Sequence, residues 1–390
     1  MTGGARGRMY TTKSGLALYK PGEDAVIWYF VHYTTTRTRG AFLMPKRSLS
    51  PVTMNQIAAH CGLSKATISR ALNSPEKLRP DTLRVVREAF QELGYHYNPL
   101  AASLTKSSSG IVGVIIGNIR ENSYVITLAD IQKFASQHQL NVMFSISDYS
   151  GEKERDILQT FRQYKTAMVI VIGPGVHCHD HIAEVLGDAI PHLILWETYE
   201  DKNLNFVGTD PAALMDGAVG YLRSLGHERV GLGMSMSCYP SRATARIAAF
   251  RRALAENGMD AYPDSVVILD DTRPPHSALV WGKSIMTDFL ERKERPTAVV
   301  FTTGGMAEGG VMGLYEHGIS FPEAMSVMSL ADDDVAEHFF PPLTALDSRI
   351  GTVLNLARRF IAQVANGERP RIQRSLGTRL IKRASCMPHS

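Results

Sequence analysis

A parallel α/β body behind a small all-α head is the fold this sequence predicts, and three observations predict it. Residues 52–93 carry apolar side chains at helical spacing, punctuated by Gly62, Ser64 and Pro80. From residue 111 onward, short β-rich runs alternate with helical stretches, the pattern of βαβ units with helices on both faces of a sheet. A chain of 390 residues with 44% hydrophobic content is long enough for two or more domains.

The head is justified residue by residue. Thr53 is placed to cap a first helix, with Gln56 at the spacing of a capping box. Met54, Ile57 and Ala58 give that helix one buried stripe. Gly62 supplies the positive φ of a tight break, and Leu63 fills the crease. Ser64 caps a second helix whose Ile68, Ala71 and Leu72 face inward while Lys65, Ala66, Ser69 and Arg70 face out. A third helix runs from Pro80-Asp81 through Leu83, Val86, Ala89, Phe90 and Leu93 to Gly94. Short and basic groups on one face suit base edges and phosphates. Any amphipathic helical hairpin shows the same spacing, so spacing alone leaves DNA reading and simple packing both open.

The run VTMNQIAAHCGLSKATISRALN (52–73), followed by NPLAASL (98–104) and a Ser-rich linker to 110, resembles the headpiece and hinge of the LacI/GalR family of bacterial repressors. The resemblance continues more weakly to about residue 383, with GHERV (226–230) and PPLT (341–344) where the family keeps similar motifs. It implies that Lys65, Ala66 and Arg70 read bases and that Thr53, Ser64, Thr67, Ser69 and Asn73 hold phosphates. Arg70 would fork onto guanine and Ala66 would meet a thymine methyl. Ala101 and Leu104 match hinge positions that enter the minor groove, where an apolar wedge kinks the duplex; the alternative for Leu104 is an ordinary linker residue. The implied organisation is a basic extension (1–50), a helix-turn-helix headpiece (51–97), a hinge helix and linker (98–110) and a ligand-binding and dimerisation domain (111–385).

Residues 1–50 carry eight basic against two acidic side chains, a charge of +6, without helical period, and are expected to lack a fold of their own. Met44 lies just upstream of the headpiece, so we expect it to be the initiator and 1–43 an over-extended reading frame; the alternative is a basic arm adding non-specific DNA affinity. The patch AVIWYFV (25–31) is too short for a membrane span, and its acidic flanks argue against a signal peptide. Cys61, Cys178, Cys238 and Cys386 are scattered without a C-x-x-C pair, as in the reduced thiols of a cytoplasmic protein. The net charge of +4 needs only local basic patches to meet DNA.

In the body, the runs at 111–117, 141–147, 167–173, 192–196, 229–235, 265–269, 298–302 and 326–330 are expected strands, with helices such as 125–139, 152–164, 211–225 and 242–257 between them. The resemblance assigns these to a periplasmic-binding-protein-like α/β effector domain of two doubly wound subdomains around a ligand cleft. Arg246 falls on the family's sugar-contacting arginine, though a helical arginine is also a common surface charge. Asp210 matches an acidic position that serves either ligand or subdomain interface. Trp196 and Asp332 complete the effector-binding candidates.

Two departures matter. Where the family shows Asn-Asp the chain has Gly304-Gly305, and the first acid of its Gly-aromatic-Asp-Asp motif is Ala331, followed by Asp332, Asp333 and Asp334. These losses, with an arginine retained, favour an anionic effector such as a sugar acid or sugar phosphate. LNSPEKL (72–78) resembles the gluconate-type branch.

His177, Cys178, His179, Asp180 and His181 place five metal-capable groups together. Adjacent residues in a variable loop cannot easily face one ion, so no metal site is assigned and a metal-responsive regulator stays an alternative. A solute-binding protein would need a secretory signal and no helix-turn-helix. No G-x-S-x-G, phosphate loop or H-E-x-x-H marks an enzyme. The expectation is a cytoplasmic regulator without cofactor or membrane contact, partnered by pseudo-palindromic double-stranded operator DNA, a small-molecule effector and a second copy of itself.

Overall fold

The computed structural model describes residues 8–11, 17–20, 52–73, 75–95, 109–120, 122–175, 178–235, 240–259, 264–269, 277–333, 335–347 and 349–389. The chain divides into two compact units between Tyr97 and Asn98.

In the first unit, strands β1 (Arg8–Thr11) and β2 (Ala17–Lys20) pair antiparallel, with Arg8 opposite Lys20. No element had been expected in residues 1–50. Both segments contain tyrosine, a strand former. The head is α1 (Met54–Cys61), α2 (Lys65–Asn73) and α3 (Pro80–Glu92). Thr53 and Gln56 form the expected capping box: the Gln56 N–H donates to Thr53 Oγ1 at 3.4 Å and the Thr53 N–H to Gln56 Oε1 at 2.7 Å. Gly62 ends α1 at φ 63°. Ile57, Ala58, Ile68, Ala71, Val86 and Ala89 are buried together, so each helix contributes two residues to one small core. His60 Nε2 and Glu92 Oε2, 3.0 Å apart, tie the ends of α1 and α3.

Two parallel-rich sheets form the second unit. Among the described residues, the sheet of the amino-terminal lobe is β4 (Asn141–Ile146), β3 (Ile111–Ile116), β5 (Met168–Ile172), β6 (His192–Leu195), β7 (Phe206–Thr209) and β13 (Gln373–Leu376) in spatial order, all parallel. The carboxyl-terminal lobe orders β9 (Val266–Leu269), β8 (Val230–Ser235), β10 (Ala298–Phe301), β11 (Ser326–Ser329), β12 (Thr344–Asp347) and β14 (Arg379–Ile381), only β14 running antiparallel.

Strand periodicity explains why the central runs are apolar throughout. In β5, Met168, Ile170 and Ile172 pack beneath α4 (Asn122–Gln137) and α11 (Ile350–Ala365), while Val169 and Val171 face α5 (Gly151–Gln163) and α6 (Cys178–Val185). The other lobe repeats the arrangement, with α7 (Pro211–Ser224) and α8 (Pro240–Glu256) on one face and α9 (Ala278–Glu291) and α10 (Gly304–Glu316) on the other. Each fully buried Ile, Leu or Phe contributes roughly 1.5–3 kcal/mol.

The predicted strands and helices stand where expected, within one to three residues. Strands β12 (TALD), β13 (QRSL) and β14 (RLI) were not foreseen; the exposed outer positions of the last two are polar.

The chain passes between the lobes at Asp210, at Arg349 and at Gly377–Thr378. Asp210 Oδ1 accepts the Ala212 N–H at 2.8 Å and caps α7. Asp347 Oδ1 accepts the Arg349 N–H at 2.7 Å, where the backbone takes φ 57°. The Thr378 hydroxyl lies 3.4 Å from Ala213 O, joining the last passage to the first.

GHERV serves the fold. His227 is buried and its Nε2 faces the Met387 carbonyl at 3.1 Å, while its Nδ1 meets Thr297 Oγ1 at 2.9 Å. Burial, then the neighbouring His389, pushes its pKa down to about 4. A neutral imidazole therefore holds the C-terminal tail against the sheet.

Glu154, on α5, is fully buried; its Oε1 accepts the Gly175 N–H, and its Oε2 meets no hydrogen-bond partner among the described residues. Burial pushes its pKa up to about 7, and the Gly175 N–H offsets this only partly. In the unfolded chain the carboxyl loses its proton near its ordinary value, 4.5, so the fold holds a proton that the unfolded chain has released, and stability falls as pH rises from there to about 7. Glu154→Gln should match wild type near pH 4.5 and gain about 3 kcal/mol over it at pH 8. Urea unfolding at both pH values measures the difference; a constant gap between the two proteins would refute it.

Candidate functional site

The outward face of α2 is the first site. Its Lys65, Ala66 and Arg70 are exposed and Ser69 half-buried, while Ile68 and Ala71 are buried against α1 and α3. Ser64 caps the helix by accepting the Thr67 N–H at 3.1 Å, and the two hydroxyls lie 2.9 Å apart. Thr53 is exposed, and its Oγ1 is engaged in the α1 cap. α2 carries two basic residues and no acid, so its free face is uniformly favourable to phosphate. Asn73 closes the helix; its side chain, with Ala101, Leu104 and the whole 98–108 hinge, lies outside the described residues.

The second site is a cavity of about 480 Å³ at the carboxyl ends of both sheets, where open α/β sheets place ligands. Thr302 and Thr303 follow β10, Leu330 to Asp333 follow β11, and Trp196 and Thr209 come from β6 and β7. Tyr124 on α4 and Tyr149 after β4 supply aromatic wall, facing Ile350 and Leu354 of α11. Glycines make room for these rings. A Cβ at Gly173 (φ 63°) would lie 2.4 Å from Tyr124, and one at Gly117 would lie 2.4 Å from Tyr149. Asn118 Nδ2 donates to Tyr149 Oη at 2.7 Å and fixes that ring. The Trp196 and Tyr124 rings sit 6.4 Å apart.

Of the sequence-predicted effector residues, Arg246, Trp196 and Asp332 line the cavity. The Arg246 Nε is buried in its wall with no hydrogen-bond partner among the described residues. Asp332 is engaged by Arg383, whose Nη1 reaches Oδ1 at 2.6 Å and Nη2 reaches Oδ2 at 3.3 Å. Asp210 does not join them. Its carboxylate is committed to the α7 cap at the first passage between lobes, and of its neighbours it is Thr209 that faces the cavity.

Tyr124, Tyr149, Thr303 and Asp333 were not foreseen as lining residues. The available signal was their position just past strand ends or at a helix start, which spacing alone does not separate from ordinary loop polarity.

Residues 178–181 of the 177–181 cluster are not a loop. Cys178–Val185 is helical, and a helix fans successive side chains about 100° apart. Cys178 is buried, Asp180 is exposed, and the His179 ring lies 5.6 Å from Tyr199. No three His, Cys, Asp or Glu side chains converge among the described residues; His177 lies outside them. No helix among the described residues is long and apolar enough to cross a membrane.

Two family models match: "Bacterial regulatory proteins, lacI family" over residues 53–98 and "Periplasmic binding protein-like domain" over 219–386. Catabolite control protein A of Priestia megaterium is 24% identical over 81% of this chain and 93% of its own length. The HTH-type transcriptional regulator GntR of Pseudomonas aeruginosa is 25% identical over 87% and 97%. Among solved structures, the lac repressor dimer bound to operator and the anti-inducer ONPF superposes with TM-score 0.72 at 22% identity, covering 86% of this chain and 99% of that one. These likenesses place the head and the two-lobed body in one architecture, and this chain belongs to the LacI family of DNA-binding transcriptional regulators.

Proposed function

We propose that the chain is a repressor of carbohydrate or sugar-acid catabolism genes that works as a two-fold dimer and is controlled by a small molecule in its interlobe cavity. One observation carries the effector half of this reading: half-buried Arg246 lines the cavity, and its Nε is a buried donor that nothing among the described residues accepts. A buried unmet donor is costly, and a ligand carboxylate, phosphate or vicinal hydroxyl pair would meet it.

The DNA half rests on the free face of α2. In this reading Lys65, Ala66 and Arg70 meet base edges, and Thr53, Ser64, Thr67, Ser69 and Asn73 hold phosphates. Two copies place their α2 helices in successive major grooves of a pseudo-palindrome. Ala101 and Leu104 of the 98–110 hinge wedge the minor groove between them. The relatives support the class: GntR of Pseudomonas aeruginosa is an HTH-type transcriptional regulator, and the lac repressor structure holds a dimer on operator with the anti-inducer ONPF. Closure of the lobes about Asp210, Arg349 and Gly377–Thr378 then alters how the hinges are presented to DNA.

Selection from random duplex should return an inverted repeat. On it, Arg70→Ala should lose about 1–3 kcal/mol of discrimination between the selected base and its competitors, read by fluorescence anisotropy. Leu104→Ser should weaken binding to the selected site while leaving non-specific affinity nearly unchanged; equal loss of both would remove the wedge. A thermal-shift screen of sugars, sugar acids and sugar phosphates against the full chain should find a ligand that raises its melting point. Arg246→Ala should abolish that rise, and a variant still stabilised as wild type would exclude Arg246 as the anchor.

A further inference from the structure

The interlobe cavity lies at the carboxyl ends of the amino-lobe strands, and a second, smaller hollow lies at their amino ends. Residues 187–192 lead into β6, 203–205 into β7 and 369–371 into β13, and these three connections enclose about 90 Å³. That volume holds a group of a few heavy atoms. The two described linings share no residue.

Donors dominate the small pocket. His192 and Asn205 line it and are only 8% and 6% exposed. His192 Nε2 accepts the Asn205 N–H at 3.4 Å. Burial, then the neighbouring Arg371, pushes the His192 pKa down to about 4, which Asp188 and Asp201 offset only in part. The imidazole is therefore neutral at pH 7, and with Nε2 accepting, its one proton sits on Nδ1. Asn205 Oδ1 accepts the Ile372 N–H at 2.7 Å, so Nδ2 is the donor that this amide has left. Neither His192 Nδ1 nor Asn205 Nδ2 meets a hydrogen-bond partner among the described residues. Two guanidiniums complete the set. Arg369 donates through Nη1 to Asp188 O, and Arg371 through Nη1 to Asn203 O at 2.8 Å. Neither is ion-paired with a carboxylate among the described residues, so each keeps the rest of its fork for another acceptor. Against these two cations the lining sets one acid, Asp188.

We propose that this pocket is a binding site for inorganic phosphate, distinct from the effector cavity. Arg369, Arg371, His192 Nδ1 and Asn205 Nδ2 donate to the phosphate oxygens. The Asp188 carboxylate accepts the proton that inorganic phosphate still carries at pH 7.5. Sulfate and a phosphomonoester are also doubly charged at that pH, the ester having lost its last proton near pH 6. Neither has a proton to give Asp188, and each would set a bare anionic oxygen against that carboxylate.

Calorimetry of the full chain at pH 7.5 and constant ionic strength, with inorganic phosphate, sulfate and methyl phosphate as probes, tests it. Wild type should take up phosphate saturably and at least about tenfold more tightly than either other anion. Arg371→Gln should weaken phosphate by about tenfold or more. Asp188→Asn should bring all three anions to within about twofold of one another. Arg246→Ala, a change confined to the interlobe cavity, should bind phosphate as wild type does. Melting points without anion identify a variant that fails to fold. Asp188 holds Arg369 by its main-chain carbonyl, so Asp188→Asn leaves that bond in place and then carries the test. Uptake that is lost in Arg246→Ala but kept in Arg371→Gln would move the phosphate to the interlobe cavity and overturn the site. Heat that does not saturate with wild type, or equal affinity for the three anions, would overturn it as well.

Discussion

The chain leaves the amino-terminal lobe at Asp210, returns at Arg349 and leaves again at Gly377–Thr378. These passages oblige the carboxyl ends of β6 and β7 to face those of β10 and β11 across one space. Parallel strands linked by right-handed crossovers must all end on the same side of their sheet. Two such sheets joined this way enclose a cavity whose wall is drawn from segments far apart in sequence. The Thr378 hydroxyl, 3.4 Å from Ala213 O, ties the last passage to the first.

Legibility in the sequence followed locality. The capping box of Thr53 and Gln56, the turn at Gly62 and the cap at Ser64 depend on residues three or four apart, and the structure holds each of them. The central strands were legible because burial on both faces demands unbroken apolar runs, as in β5. Edge strands β13 and β14 escaped notice because outer positions tolerate Gln, Arg and Ser. Arg246 and Trp196 were reached through family resemblance, whereas Tyr124 and Tyr149 were not, since their place in the wall depends on the glycines at 173 and 117 that make room for the rings. Asp210 shows the limit of positional matching: an acid before a proline-led helix has a local use as a cap, and here the local use prevails.

Charge in the cleft is arranged by the same economy. Asp332 and Arg383 form a two-pronged pair whose side chains are 21% and 13% exposed, fixing the segment after β11 at the cavity rim. Asp333 and Arg246 also line the cavity, and the Arg246 Nε is buried in its wall. Two positions beyond Ala331, the Asp333 carboxylate occupies the volume that a side chain at 304 would take, an added Cβ there falling 1.8 Å from its Oδ1.

The interleaving of β13 and β14 has a consequence for how such a protein can arise and be dissected. Neither lobe is encoded by one uninterrupted stretch, and residues 373–389 serve both, β13 closing one sheet and β14 with the His227-held tail closing the other. A stop codon ahead of residue 373 would strip a border strand from each sheet simultaneously. Recombination between relatives can therefore exchange the DNA-reading head at a single junction, but it can exchange a lobe only by splicing at every passage together.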